Sequence, residues 1–425
     1  MAELNSTILP NGLTVVSAAL PARSSVSLGI WVGTGSRHEP KRWNGISHFI
    51  EHMLFKGTTN RNSLEISEAI EGLGGSINAF TEEEHTCYYA RAQSRHLPLM
   101  VDVLSDMIAR PTFDPVETRK ERSVIREEIL QYEDQPSSVV LDNLNTLMWP
   151  DHPLGRNILG TARSLASIRP PELTQFHREH YRAGNVLVAA CGDLDHNRLV
   201  RLVKRHLKDI RKGEPPRPEG ISRRQSAPAL LNEDRDAEQA YLALGIRTGS
   251  RTDPDRLSIR LLNTILAENM SSRLFQMLRE DMGLAYQVDS TTSFFSDTGH
   301  LVITAGMDTR NLEKATRLIV GALHRLTKEA VPRKELKRAK DYLIGQSQLQ
   351  LEGAENQMIC IGEQWLGHKR LLAEEQVYDR IRKVTAGDLK STAQRFFRPE
   401  NLNLSTISPL KSTKRLMDAL RIPSP

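Results

Sequence analysis

Cysteine is scarce in this chain. There are three in 425 residues, Cys87, Cys191 and Cys360, far apart and odd in number. They form no Cys-x-x-Cys pair and no disulfide framework, which excludes a small cross-linked scaffold and leads us to expect a reducing compartment. Long apolar runs are missing too. No stretch approaches the roughly 20 apolar residues needed to cross a bilayer, so no membrane partner is expected. The opening segment MAELNSTILPNG has no basic stretch leading into an apolar one, and it lacks the Arg-rich character of a transit peptide. A soluble, cytoplasmic protein is the resulting expectation. Excess charge is thin, +5 over the whole chain. Basic residues gather in segments such as RKELKRAK, but acids are interleaved nearby and no aromatic-plus-basic pattern accompanies them, so no nucleic-acid partner is expected.

What is present suggests two domains, because the chain exceeds the length at which one hydrophobic core stops growing. An internal repeat supports this. SVSLGIWVGTGSRHEPKRWNGISHFIEH is echoed by QAYLALGIRTGSRTDPDRLSIRLLNTIL, with Thr248–Arg251 lying 214 positions after Thr34–Arg37. Each copy reads as an apolar strand, a Gly/Ser turn, a polar bend and a helix. Domains over residues 1–213 and 228–425 follow, joined by a Pro/Gly/Arg-rich linker at 214–227. Strands are predicted at Leu13–Ala18, Ser76–Ala92 and Asn185–Cys191, with a hairpin turning at Ser296–Gly299. Helices are predicted at Ser63–Leu73, Leu97–Arg110, Pro115–Glu133, Leu312–Ala330 and from Arg333. The expected class is α+β, an antiparallel-rich sheet covered by helices, occurring twice.

The segment SHFIEHMLFKG places two histidines and a glutamate within five positions of an otherwise apolar run. On a helix His48, Glu51 and His52 share a face, while Ile46, Phe49, Ile50, Met53 and Leu54 gather opposite. The helix is predicted from near Asn44–Gly45 to Lys56–Gly57, where glycine suits a left-handed cap. Such a trio also fits an ordinary wet face, although Phe55 falls on the polar side. The repeat bears on the choice, since its second copy carries Leu262, Ile265 and Leu266 at these positions. The scaffold therefore does not itself require polar residues there.

H-x-x-E-H is the inverse of the zinc motif H-E-x-x-H. Two imidazoles one turn apart can share a metal ion but leave its coordination incomplete, so a further carboxylate is needed. DPVETRKERSVIREEILQYED offers it on a helix that Asp114 caps, with Pro115 at its first position and Glu117 completing a capping-box-like pattern. Glu121 and Glu128 lie on the side shared by the core-type residues Val124, Ile125 and Tyr132, whereas Glu127 points away. A carboxylate on an apolar face needs a partner. Periodicity selects Glu121 and Glu128 and does not say which is the ligand.

HFIEHMLFKGT with ERSVIREEI downstream resembles the inverzincin peptidases of the pitrilysin, insulysin and mitochondrial-processing-peptidase family. The likeness continues through GLGGSINAFTEEEHTCYYA, HPLGRNILGT and LREDMGLAYQV. By size and the GLAY pattern, the chain is most similar to the bacterial, processing-peptidase-like branch. The resemblance implies zinc held by His48, His52 and Glu128, with Glu51 as base and Glu121 supporting the site. It also implies one half of a clamshell and a homodimer, with Arg279 and Tyr286 of the partner subunit contacting peptide substrate near the metal. Tyr286 would then donate to the tetrahedral oxyanion.

Asn78 and Ala79, after a glycine-rich entry, suit an edge strand that an extended peptide could join. A buried strand after a tight turn fits the pattern equally, and the resemblance favours substrate binding. His177 and His180 have ligand-like spacing without a nearby carboxylate motif and read as structural. His85 and Glu84 are expected on a Thr81–Ala90 strand that lines the site, and His152 is expected to fix a loop. The expected function is a zinc endopeptidase acting on unfolded peptides or presequence-like segments in an enclosed chamber. The alternatives are a non-catalytic scaffold of the same fold and a maturation protease for a peptide-derived cofactor.

Overall fold

A computed structural model describes residues 3–221, 225–235 and 238–421. Part of the expected linker, residues 222–224, lies outside the described residues. The chain packs as two units: Met1–Gln131 with Arg156–Glu219 and Gln348–Ala373, and Tyr132–Gly155 with Gly220–Ser347 and Glu374–Pro425.

The first unit is built on six strands: β1 (Glu3–Ile8), β2 (Thr14–Ala19), β3 (Ser25–Val32), β4 (Ser76–Thr81), β5 (Thr86–Gln93) and β6 (Val186–Gly192). Their order is β1-β2-β6-β3-β5-β4, and only β2 and β6 run parallel. β3 is apolar almost throughout because both faces are covered. Val26, Leu28, Ile30 and Val32 enter one core with helices α1 (Ile46–Leu54), α2 (Ser63–Glu71), α3 (Leu97–Ala109) and α4 (Pro115–Glu133). Trp31 points the other way, into a core with Met358, Ile361 and Trp365 of the helix Ala354–His368. Gly362 makes that approach possible, since a Cβ there would meet the Trp31 ring at 2.5 Å. Burying an aliphatic or aromatic side chain in these cores is worth about 1.5–3 kcal/mol.

The second unit carries β7 (Ala229–Glu233), β8 (Ala240–Thr248), β9 (Ala285–Phe294), β10 (Gly299–Met307) and β11 (Leu402–Ile407), ordered β7-β11-β8-β10-β9. Helix α5 (Pro136–Met148) lies on this sheet through Val140, Leu144 and Met148. The 214-residue offset carries β3 near β8, the β4–β5 hairpin onto β9–β10, and α5 near the helix Ala354–His368. These two helices are the same element of the repeat, and each packs in the unit built around the other half's sheet. Both sheets are antiparallel-rich with helices against them, as the pattern predicted. Among the described residues no helix is long and apolar enough to cross a membrane.

Three local expectations need correction. Ser76–Ala92 is not continuous: β4 and β5 are separate strands of a hairpin, and Glu84 and His85 sit in its turn rather than on a strand. Three successive glutamates interrupt the β-pattern there, and Glu82 N–H donates to the His85 carbonyl at 2.8 Å to close the turn. α1 ends at Leu54 on a right-handed Phe55 cap, two residues short of the expected left-handed cap at Gly57. On α4, Val124 is exposed rather than core, while Glu121, Ile125 and Ile129 form the buried strip.

Candidate metal centre

α1 begins on Gly45 at φ +93°, a conformation costly for any residue with a Cβ. A Cβ at that position would also stand 2.5 Å from the Leu159 carbonyl oxygen. The buried Glu39 carboxylate accepts from Gly45 N–H at 2.7 Å, Ser47 N–H at 2.8 Å and Asn44 Nδ2 at 3.0 Å. A negative group satisfies the orphan donors at this helix start, where the dipole favours it. Burial raises the Glu39 pKa, and these hydrogen bonds oppose the rise. Ile46, Phe49, Ile50, Met53 and Leu54 are buried in the core, so the opposite face carrying His48, Glu51 and His52 is fixed in direction.

α4 brings the carboxylates. Asp114 Oδ1 accepts from Val116 and Glu117 N–H at 2.7 and 3.0 Å, capping the helix, while Glu117 pairs with Lys120. Glu128 then approaches both imidazoles, its oxygens each 3.8 Å from His48 Nε2 and His52 Nε2. The three ligand atoms lie within 4.8 Å of one another. Ligands about 2.1 Å from a tetrahedral centre stand about 3.4 Å apart, so an ion fits with a small inward shift. Glu121 does not join this cluster. Its Oε2 accepts from His52 Nδ1 at 3.1 Å, and its Oε1 accepts from Lys56 Nζ at 2.8 Å. With Nδ1 as donor, Nε2 of His52 keeps its lone pair for a metal. Burial, with His52 nearby, pushes the His48 pKa down to about 3 and holds it as the neutral imidazole a metal requires. Glu128 thus lies 3.8 Å from both imidazoles, and Glu121 meets one of them from the other ring nitrogen.

Glu51 stands on the same face. Burial raises its pKa, and Glu128 adds to the rise. A 2.5 Å hydrogen bond from Thr81 Oγ1 to its Oε2 and the neighbouring His52 act the other way. Thr81 was not legible as a site residue, being an unremarked hydroxyl at the end of β4, 30 positions away in sequence. A hydrogen bond to a charged group is worth about 1.5–3 kcal/mol. T81V is therefore expected to lower about tenfold the kcat of any reaction that uses Glu51, at unchanged metal content, as measured by turnover and metal analysis.

Asn78 and Ala79 pair with Tyr89 and Tyr88 on β5, and β4 is the last strand of its sheet. Arg279 and Tyr286 belong to the second unit. Arg279 lies in a π-helical turn with its guanidinium 5.0 Å from the Phe275 ring centroid, and Tyr286, at the start of β9, is 66% exposed. His177 is half-buried, with Nε2 at 2.9 Å from the Ile108 carbonyl and its ring stacked on Tyr181. His180 stacks on Phe176. His152 Nδ1 accepts from Leu154 N–H at 3.1 Å within its loop. Glu84 receives the buried Arg37 at 2.7 Å and anchors the hairpin turn.

The family model described as Insulinase (Peptidase family M16) matches residues 14–162, and that described as Peptidase M16 inactive domain matches 167–343. The chain belongs to peptidase family M16. Relatives named as uncharacterized zinc proteases agree. One from Mycobacterium tuberculosis is 36% identical over 420 residues, 98% of this chain and 95% of its own. Another, from Streptomyces coelicolor, is 37% identical over 424 residues, 97% and 92% of the two chains. A solved protease from Helicobacter pylori shares the fold at TM-score 0.90 and 22% identity, covering 96% of this chain and 100% of that one. This M16 chain is a zinc metalloprotease, and its His–His–Glu cluster suits that ion in ligand number and chemistry.

Proposed function

We propose that the chain is an endopeptidase that hydrolyses unfolded or presequence-like peptides, with zinc held by His48, His52 and Glu128 and with Glu51 as general base. The observation that carries this reading is the convergence of the two imidazoles and the Glu128 carboxylate on one point, with Glu51 on the same helix face. Zinc bound there supplies a Lewis acid and lowers the pKa of a coordinated water. Glu51 does the proton work. Its Oε2 is occupied by the Thr81 hydroxyl, which leaves Oε1 to take the proton of the attacking water and pass it to the departing amine. Burial and the neighbouring Glu128 raise the pKa of this carboxylate, while the Thr81 hydrogen bond and His52 lower it. The edge strand β4, which carries Asn78 and Ala79, turns the backbone groups of every second residue away from β5 to where an extended peptide can pair, which favours unfolded over compact substrates.

The reading extends to a cytoplasmic homodimer enclosing a chamber, in which the partner's Arg279 and the partner's Tyr286 complete each site. The exposed Tyr286 hydroxyl is suited to donate to a developing oxyanion. Complementation tests this. E51Q protein and Y286F protein, each impaired alone, are expected to regain peptidase activity when mixed under conditions of subunit exchange. No recovery after verified exchange would place Tyr286 in the same chain's site or outside it.

A further inference from the structure

Lys56 has no part in the chemistry described so far, yet it grips the carboxylate that orients His52. Its Nζ donates to Glu121 Oε1 at 2.8 Å while His52 Nδ1 donates to Oε2 at 3.1 Å. The Glu121 side chain is 7% exposed, so these partners rather than water meet its carboxylate. In the repeat the position of Lys56 is Met270, and the matching carboxylate is met instead by a different cation from another position. Glu335 lies 214 positions after Glu121. There Arg273 takes both carboxylate oxygens, at 2.9 and 2.7 Å, and the positions of His48 and His52 are Leu262 and Leu266. A planar guanidinium fork occupies a carboxylate completely, whereas an ammonium engages one oxygen and leaves the other. The first unit keeps that second oxygen for His52.

We propose that Lys56 is a positioning residue that sets how tightly the chain holds zinc, by fixing the rotation of Glu121 so that one oxygen stays on His52 Nδ1. This inference rests on the zinc-site reading above. Without Lys56 the buried carboxylate loses the ammonium that holds its Oε1 at 2.8 Å and can turn from the imidazole. The His52 ring then loses its orientation toward Glu128. Partners of this kind change metal affinity by about 10–100-fold.

The test uses zinc alone on the full chain, with apparent affinity read by competition against a chromophoric chelator. K56M and K56Q are run together, so that a folding failure of one leaves the other to decide. Both are checked by metal-free thermal unfolding. Each is expected to bind zinc about tenfold more weakly than the parent, with an altered visible spectrum after cobalt substitution. In the E121Q background the same change is expected to alter affinity by less than about twofold, because its route has been removed. Parent-like zinc affinity and cobalt spectrum in the folded variants would overturn the inference, as would an undiminished loss in the E121Q background. A parent chain that binds no zinc would instead defeat the metal-site reading itself.

Discussion

Replacing Glu51 by Gln is expected to lower peptide turnover by about 10²–10⁴-fold, the contribution of a positioned general base, while zinc content stays at the parent level. The amide preserves the shape of the side chain and can still meet the Thr81 hydroxyl that now sits 2.5 Å from Oε2. What it loses is the carboxylate oxygen able to accept a proton. Cleavage of a quenched peptide, with metal analysis on the same preparation, separates the two effects. Parent-level turnover by a homogeneous E51Q sample would remove Glu51 from the mechanism.

H48A and E128A are expected to lose both metal and activity. His48 is 10% exposed at its side chain, and burial keeps it neutral. Each substitution leaves two of the three converging ligands, and zinc affinity should fall by more than the roughly 100-fold seen when a supporting partner is lost. Turnover should drop to background at zinc concentrations that saturate the parent. E127A supplies the contrast, since Glu127 is exposed and directed away from the cluster. Its zinc content and activity should match the parent's. A normal metal content in E128A together with loss in E127A would reverse the ligand assignment.

The parts of this site that lie within one helix could be read from spacing alone. His48, Glu51 and His52 share a face because three and four residues make a turn, and the apolar residues opposite anchor that face. Spacing along α4 also singled out Glu121 and Glu128 without dividing their roles; the division came from the family resemblance, and the distances to His48 and His52 agree with it. Val124 shows the limit of periodicity. It lies between the two glutamates on the helix surface, yet only the Glu121–Ile125 edge of that strip is buried, and Val124 stays open beside the partly exposed Glu128.

Glu39, Thr81 and Lys56 were not legible because their meaning is a contact rather than a pattern. Glu39 meets the start of α1 across a bend, Thr81 meets Glu51 of α1 from the end of β4, and Lys56 meets Glu121 of α4 from the bend that follows α1. The 214-residue repeat did hold a signal, since Asp253 and Glu335 keep acids at the positions of Glu39 and Glu121. The exchange of α5 and the helix Ala354–His368 between sheets was hidden for a related reason. An amphipathic pattern marks which face is buried but does not name the sheet that buries it.

Diffraction from zinc-loaded E51Q crystals, with anomalous differences collected across the zinc edge, tests the metal assignment most directly. One strong peak per chain is expected about 2.0–2.2 Å from His48 Nε2, His52 Nε2 and a Glu128 oxygen, with Glu121 still on His52 Nδ1. A peak coordinated by other residues, or none at this cluster in fully loaded protein, would contradict it.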